Sequence, residues 1–303
     1  MTTTPDAAET ERRAANGAPG ALYVVATPIG NLSDMTYRAV ETLKAADFII
    51  AEDTRVTRKL LTRYEINKNV FSCHKFNETA RLDFFINEIM SGKTAALVSD
   101  AGTPCISDPG HLLVSQAIKN GVVVIPVGGT GAVTAALSVS GFDLKSFAFY
   151  GFPPKKISEN KKFLTTVQND SPETAVFFES PKRIINCLER ISESFPDAEV
   201  CLCNDLTKKF EKIYWGGVTD VIEELLQNPD REKGEYTLVL RKNKPDRAAG
   251  DGEEKIPVEI LLAEIRDKTG CTLKEAVNIL SDEKKGALRK KDVYAAAVRL
   301  KNS

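Results

Sequence analysis

This chain of 303 residues predicts an α/β fold. An N-terminal domain with a mainly parallel, open sheet is followed by a second α/β domain with a mixed sheet and a small helical tail. Three observations carry that prediction. From Ala21 to Ser140, short apolar runs alternate with stretches of helical spacing, as crossover helices between parallel strands require. From Phe147 to Arg241, strand-like runs cluster and their connections vary in length, as in a mixed sheet. Small-residue turns and acids follow the apolar runs of the first half, at the edge where open parallel sheets bind ligands.

The elements follow in order. Ala21 to Thr27 reads as a strand, and Ser33 or Asp34 caps a helix running to about Ala45. Asp47 to Ala51 is the second strand and Val70 to Cys73 the third. Ala80 to Met90 is helical in spacing, with Gly92 as its stop. Ala95 to Ser99 is the fourth strand. Asp108 as N-cap and Pro109 in the first turn start a helix to Asn120, and Gly121 ends it. Val122 to Val127 is the fifth strand, and Gly128 to Gly131 lead into a small-residue helix, Ala132 to Ser140. In the second domain, strands are expected at Phe147–Phe152, Thr174–Phe178, Glu199–Cys203, Lys212–Trp215 and Glu235–Arg241. Helices are expected at Pro181–Phe195 and Val218–Gln227. The divisions are a tail at 1–20, domains at 21–142 and 143–242, a polar linker at 243–254 and a helix-turn-helix-like tail at 255–303.

Composition narrows the function. Basic and acidic residues number 41 and 42, so net charge is −1 and no global basic field advertises nucleic acid. Residues 281–303 hold seven basic against three acidic residues, a local +4. Six cysteines include no Cys-x-x-Cys pair, and only His74 and His111 are available, so no metal site is expected. Cys201 and Cys203 alternate in a strand and point to one face as buried thiols. No apolar run is long enough to span a membrane, and residues 1–20 carry no signal-peptide core. A reduced, cytoplasmic setting is the expectation.

Four constellations carry chemistry. Asp100 to Pro104 follows a strand; Asp100 can accept from a ribose or an ammonium group, and Gly102 leaves room beside the Thr103 hydroxyl. Gly128 to Gly131 is either a tight packing turn or an anion-holding loop. Its spacing and its place after the fifth strand disfavour a dinucleotide fingerprint. Glu52, Asp53 and Arg55 end the second strand, where an acid can take a proton from a hydroxyl. Arg55, Arg58 and Lys59 can hold phosphates. His74 is a second proton acceptor or a structural histidine.

Motifs then fall in a telling order: LYVVATPIGNL at Leu22–Leu32, AEDTR at Ala51–Arg55, VSDAGTP at Val98–Pro104 and SDPG at Ser107–Gly110. FFESPKR at Phe177–Arg183 and KGE at Lys233–Glu235 follow. Together they resemble the ribosomal small-subunit RNA 2′-O-ribose methyltransferases of the tetrapyrrole-methylase-like, class III family, over Ala21 to about Lys242. The resemblance implies a homodimer that binds S-adenosylmethionine between two domains and methylates a cytidine 2′-hydroxyl in the decoding region of ribosomal RNA. It places the cofactor against Pro28, Gly30, Asp100, Gly102 and Thr103. Gly129, Thr130, Gly131 and Ala132 of the fifth-strand loop, and Phe178 and Leu206 of the second domain, complete that set. Glu52, Asp53, Arg55 and His74 are the catalytic candidates, with the acidic pair favoured as base. RNA contacts are expected from Arg58, Lys59, Lys182, Arg183, Lys284, Lys285, Arg289 and Lys290. The chain departs from the family pattern at Gly128-Gly129-Thr130 and at Asn204-Asp205. Rival readings are a tetrapyrrole C-methyltransferase of the same fold, a non-catalytic RNA-binding assembly factor, and a nicotinamide oxidoreductase. Gly102→Val is expected to block cofactor binding by filling space.

Overall fold

The computed structural model describes residues 20–242, 258, 262, 265–266 and 269–283. The tail at 1–19, the linker at 243–254 and Lys284, Lys285, Arg289 and Lys290 lie outside the described residues. Residues 1–243 form one compact unit and 244–303 another.

The first sheet consists of β1 (Ala21–Val25), β2 (Phe48–Ala51), β3 (Asn69–Ser72), β4 (Ala95–Val98) and β5 (Val123–Val127). Its order is β3-β2-β4-β1-β5, and every pairing is parallel. The crossover helices are α1 (Tyr37–Ala45), α2 (Thr54–Arg63), α3 (Glu78–Met90) and α4 (His111–Lys119). Strand side chains alternate between the faces, as a period of two demands. Leu22, Phe48, Ile50 and Leu97 pack on α3 and α4 through Phe85, Ile89 and Leu113. Val25, Ile49, Ala51 and Val98 pack on α1 and α2 through Leu43 and Leu61. The helices that follow β1 and β4 therefore lie on opposite faces, although the two strands are neighbours. That reversal opens a crevice at their carboxyl ends.

The second sheet holds β6 (Phe147–Phe149), β7 (Thr174–Glu179), β8 (Glu199–Asn204), β9 (Lys212–Gly217) and β10 (Tyr236–Arg241). Its order is β6-β7-β10-β8-β9; β6 and β7 are parallel and the remaining pairs antiparallel. One face packs on α6 (Ile157–Asn169), α7 (Ile184–Ser194) and α8 (Val218–Leu226), around Phe177, Leu188 and Leu238. The opposite face, with Val176, Cys201, Cys203 and Val239, meets Ile29 of the first domain and α5 (Ala132–Ser140). Cys201 and Cys203 share that face as expected, with sulfurs 3.8 Å apart.

Two helix starts differ from expectation. Leu32–Asp34 forms only a single 3₁₀ turn, and Met35 is extended. The helix begins at Tyr37, where the Thr36 hydroxyl accepts from the Ala39 N–H at 3.1 Å. Asp108 does not cap α4 either. The cap position is Gly110, at φ 119°, a region open to glycine. The helix N-terminus is satisfied from α3: Glu78 Oε1 accepts from the N–H groups of Gly110, Leu112 and Leu113 at 3.1, 3.1 and 3.3 Å. A buried carboxylate there meets both the orphan donors and the positive end of the helix dipole. Asp108 is thereby left to face the crevice acids.

In the second unit, α9 (Leu273–Glu283) starts with a reciprocal cap. The Thr272 N–H donates to the Glu275 carboxylate at 2.8 Å, and the Glu275 N–H donates to the Thr272 hydroxyl at 3.4 Å. Leu262, Ala276, Val277 and Leu280 form its core.

Candidate active site at the strand tips

The crevice is built from backbone first. Past β1, Thr27 exchanges two hydrogen bonds with Gly102 beyond β4: Thr27 N–H to Gly102 O at 2.8 Å, and Gly102 N–H to Thr27 O at 3.0 Å. Thr130 of the β5 loop donates its hydroxyl to Thr27 O at 3.3 Å. Three loops are thus tied at one point. Gly102 sits at φ 78°, and a Cβ there would make only ordinary contact with Ile29, 3.4 Å away. Valine at this position would therefore strain the backbone, in addition to occupying the open space beside the tie.

Beside that tie lies a cleft of about 360 Å³, within the size range of small-molecule sites. Pro28, Ile29, Gly30, Leu32, Val56 and Leu60 give it an apolar wall. Ser99, Asp100, Lys59, Lys208 and Glu235 supply polar groups. Gly30 faces the β8–β9 loop so closely that a Cβ would stand 2.9 Å from Thr207 Oγ1 and 3.0 Å from Leu206 O. The Asn31 N–H donates to Thr207 Oγ1 at 3.0 Å across the same contact. Gly129 is confined too, though less so, since its Cβ would stand 3.0 Å from Ala26 Cβ.

The acids divide by environment. Asp53 caps α2, accepting from the Arg55 N–H at 2.8 Å, and its carboxylate is clamped by the Arg55 guanidinium at 2.6 Å. That pairing holds its pKa at about 2. Asp100 Oδ1 accepts from the Asp53 N–H at 3.0 Å. Burial, then the Asp53 charge, raises the Asp100 pKa. Burial also raises that of Glu52, reinforced by the negative charges of Asp100 and Asp53 and opposed by His74. Asp108 is pushed to about 6 by burial and by the Glu52 and Asp100 charges. Glu52 and Asp108 are the better proton acceptors, and Asp53 is held as an ion. Within the favoured acidic pair, the two environments thus set Glu52 apart from Asp53. His74 borders this group; its Nδ1 accepts from the Phe76 N–H at 3.3 Å.

Other expected residues fall elsewhere. Phe178 stands outside the cleft, in a cluster with Phe149 and Phe152 at ring distances of 4.8 and 5.6 Å. Thr103, Gly131 and Ala132 lie beside the loop tie without lining the cleft. Arg58 and Lys182 are exposed. Arg183 is committed to the fold: it pairs with Glu179, which is 4% exposed, and donates to Ser180 Oγ at 3.0 Å. That ion pair orients the guanidinium, which stays partly exposed. Lys208, Glu235 and Asp108 escaped sequence reasoning. Lys208 and Glu235 come from loops distant in sequence from the first sheet, and Asp108 has the local form of a helix cap.

Residues 21–222 match the family described as Tetrapyrrole (Corrin/Porphyrin) Methylases. The chain belongs to the tetrapyrrole methylase family. This methylase is 41% identical to a ribosomal RNA small subunit methyltransferase I of Vibrio cholerae, over 81% of this chain and 83% of that one. It is 39% identical to the protein of the same name in Bacillus subtilis, over 91% and 94% of the two chains. Among solved structures it resembles the cobalt precorrin-4 methyltransferase CbiF (TM-score 0.54, 16% identity, 78% and 98% covered). Diphthine synthase superposes with the same TM-score at 14% identity, over 73% of this chain and 90% of that one. The methyl donor of this methylase is S-adenosylmethionine. The cleft fits it: the apolar wall suits a purine ring, the Asp100 carboxylate suits ribose hydroxyls or an ammonium group, and a Cβ at Gly30 would narrow the cradle. Among the described residues no cluster of three metal-ligating side chains is present, and no helix is long and apolar enough to cross a membrane.

Proposed function

We propose that the chain methylates the 2′-hydroxyl of a cytidine in the decoding region of small-subunit ribosomal RNA, working as a homodimer in the cytoplasm. The observation that carries this reading is the likeness to relatives named ribosomal RNA small subunit methyltransferase I, at about two-fifths identity over most of both chains. The cleft supports it, because Lys59 stands at its wall where a phosphate backbone would pass.

S-adenosylmethionine, when bound, supplies an electrophilic methyl group. The protein's part is to hold the attacking oxygen in line at about 3–3.5 Å and to take its proton. Glu52 is assigned as the base: it is desolvated, it lies at a strand tip, and its raised pKa makes it a stronger acceptor than Asp53. A positioned base contributes roughly 10²–10⁴-fold. Asp53 and Arg55 fix the start of α2 and thereby the wall that carries Lys59. Asp100 and the Thr27–Gly102 tie hold the donor's pocket open.

The test is transfer of labelled methyl from the donor to purified, unmodified small ribosomal subunits, beside a porphyrin precursor. Label recovered as 2′-O-methylcytidine is the expected outcome. Label on the porphyrin alone would overturn the substrate, and donor binding without any product would favour a non-catalytic assembly factor.

A further inference from the structure

The loop between β8 and β9 is held with unusual care for a surface connection. Asp205 and Thr207 both have positive φ, 52° and 66°, which non-glycine residues rarely adopt. The Asp205 N–H donates to Glu235 O at 2.9 Å, the Lys208 N–H to Asp205 O at 2.9 Å, and the Glu211 N–H to Lys208 O at 3.1 Å. The Thr207 N–H is held by the Glu211 carboxylate, and its hydroxyl accepts across the cleft from Asn31. Lys208 is anchored to Asp205 and Glu235 at 2.8 and 3.0 Å. This rigid scaffold ends in a side chain that contributes nothing to the core. Phe210 is 71% exposed, and Lys209 Nζ lies 5.4 Å from its ring centroid.

An exposed aromatic beside a cation, two residues from a cleft-lining lysine, is what single-stranded nucleic acid recognition uses. Every base has a π-face, and the neighbouring ammonium attracts the adjoining phosphate. Across the same cleft, Lys59 gives the strand a second basic contact. We propose that Phe210 is a stacking platform for a base next to the target nucleotide, with Lys209 on the phosphate beside it. The inference rests on the RNA substrate proposed above. It adds a specific anchor on the second domain, fixed relative to the strand tips by the Gly30–Thr207 contact.

The experiment compares methyl transfer to small ribosomal subunits by the full-length wild type, Phe210→Ala, Phe210→Trp and Lys209→Ala. Donor affinity is measured calorimetrically for each. Phe210→Ala is expected to raise KM for the subunits by about 5- to 150-fold, the range base–aromatic stacking supplies, with kcat and donor affinity unchanged. Phe210→Trp restores KM. Phe210→Ala leaves the salt dependence of binding as it was, whereas Lys209→Ala lowers its slope by about one phosphate contact. A wild type that methylates RNA while Phe210→Ala keeps its KM overturns the platform and spares the RNA reading. A loss of donor affinity in Phe210→Ala also overturns it, making the residue a prop for the cofactor pocket. A wild type that methylates no RNA overturns both.

Discussion

Both sheets of the 1–243 unit bury apolar clusters on their two faces, yet the candidate site gathers at the tips of only one. In the first, all pairings are parallel, so five carboxyl ends collect at one edge. Their loops bring Thr27, Glu52, Asp100, Asp108 and Thr130 together there. In the second, β10 runs antiparallel to both β7 and β8, so strand starts and strand ends are mixed along each edge. No edge gathers functional loops in the same way. The mixed sheet contributes a wall instead: the β8–β9 loop and Glu235, which leads into β10, meet because an antiparallel pair places them at one end. Strand direction, more than composition, decides where the chemistry sits.

Substitutions can sharpen that contrast. The largest effect is expected at the first sheet's edge. Glu52→Gln should lower kcat roughly 10²–10⁴-fold with donor affinity unchanged, as single-turnover assays and calorimetry would report. Asp53→Asn should lose less, because Arg55 already holds that carboxylate in its ionised form. Next comes the interior of the second sheet. Phe177 is fully buried, and Phe177→Ala should cost about 3–5 kcal/mol of folding stability in denaturant titration. A comparable stability loss in Glu52→Gln would erase the distinction between a built edge and a packed interior.

A smaller effect is expected where the sheets meet. Gly30→Ala forces a Cβ against Thr207 and Leu206, an overpacking of about 1–3 kcal/mol, and should weaken donor binding more than it lowers the melting temperature. The smallest is a matter of pH. The folded pKa of Asp108, about 6, lies above its ordinary 3.8, so the native state keeps an extra proton between those values. Stability therefore falls as pH rises through that window. Asp108→Asn should flatten this fall in melting curves taken below and above it. Asp53 has the opposite sign: its folded pKa is depressed, so its contribution is present above 3.8 and lost as pH falls toward about 2.

Much of this was legible in the residues. The strands of the first sheet announce themselves as apolar runs, and Gly92 and Gly121 take the positive φ that helix stops need. The family motifs by themselves mark Glu52, Asp53 and Asp100. What stayed hidden depends on long-range partners. Asp108-Pro109 has the local form of a helix start, but Glu78, thirty-two residues earlier than Gly110, supplies the cap. Arg183 reads as a surface cation, but a buried Glu179 claims it. Lys208 carries no local signal for the cleft; only the close approach of Gly30 places it there. Local chemistry predicts elements, whereas tertiary partners reassign individual charges.

The most direct test of a donor site at the first sheet's carboxyl edge is backbone hydrogen exchange with and without S-adenosylmethionine. The account predicts slowed exchange in residues 26–31, 99–104 and 128–132, with the α7 and α8 face of the second sheet unchanged. Protection confined to residues 157–194, with the strand tips unaffected, would contradict it.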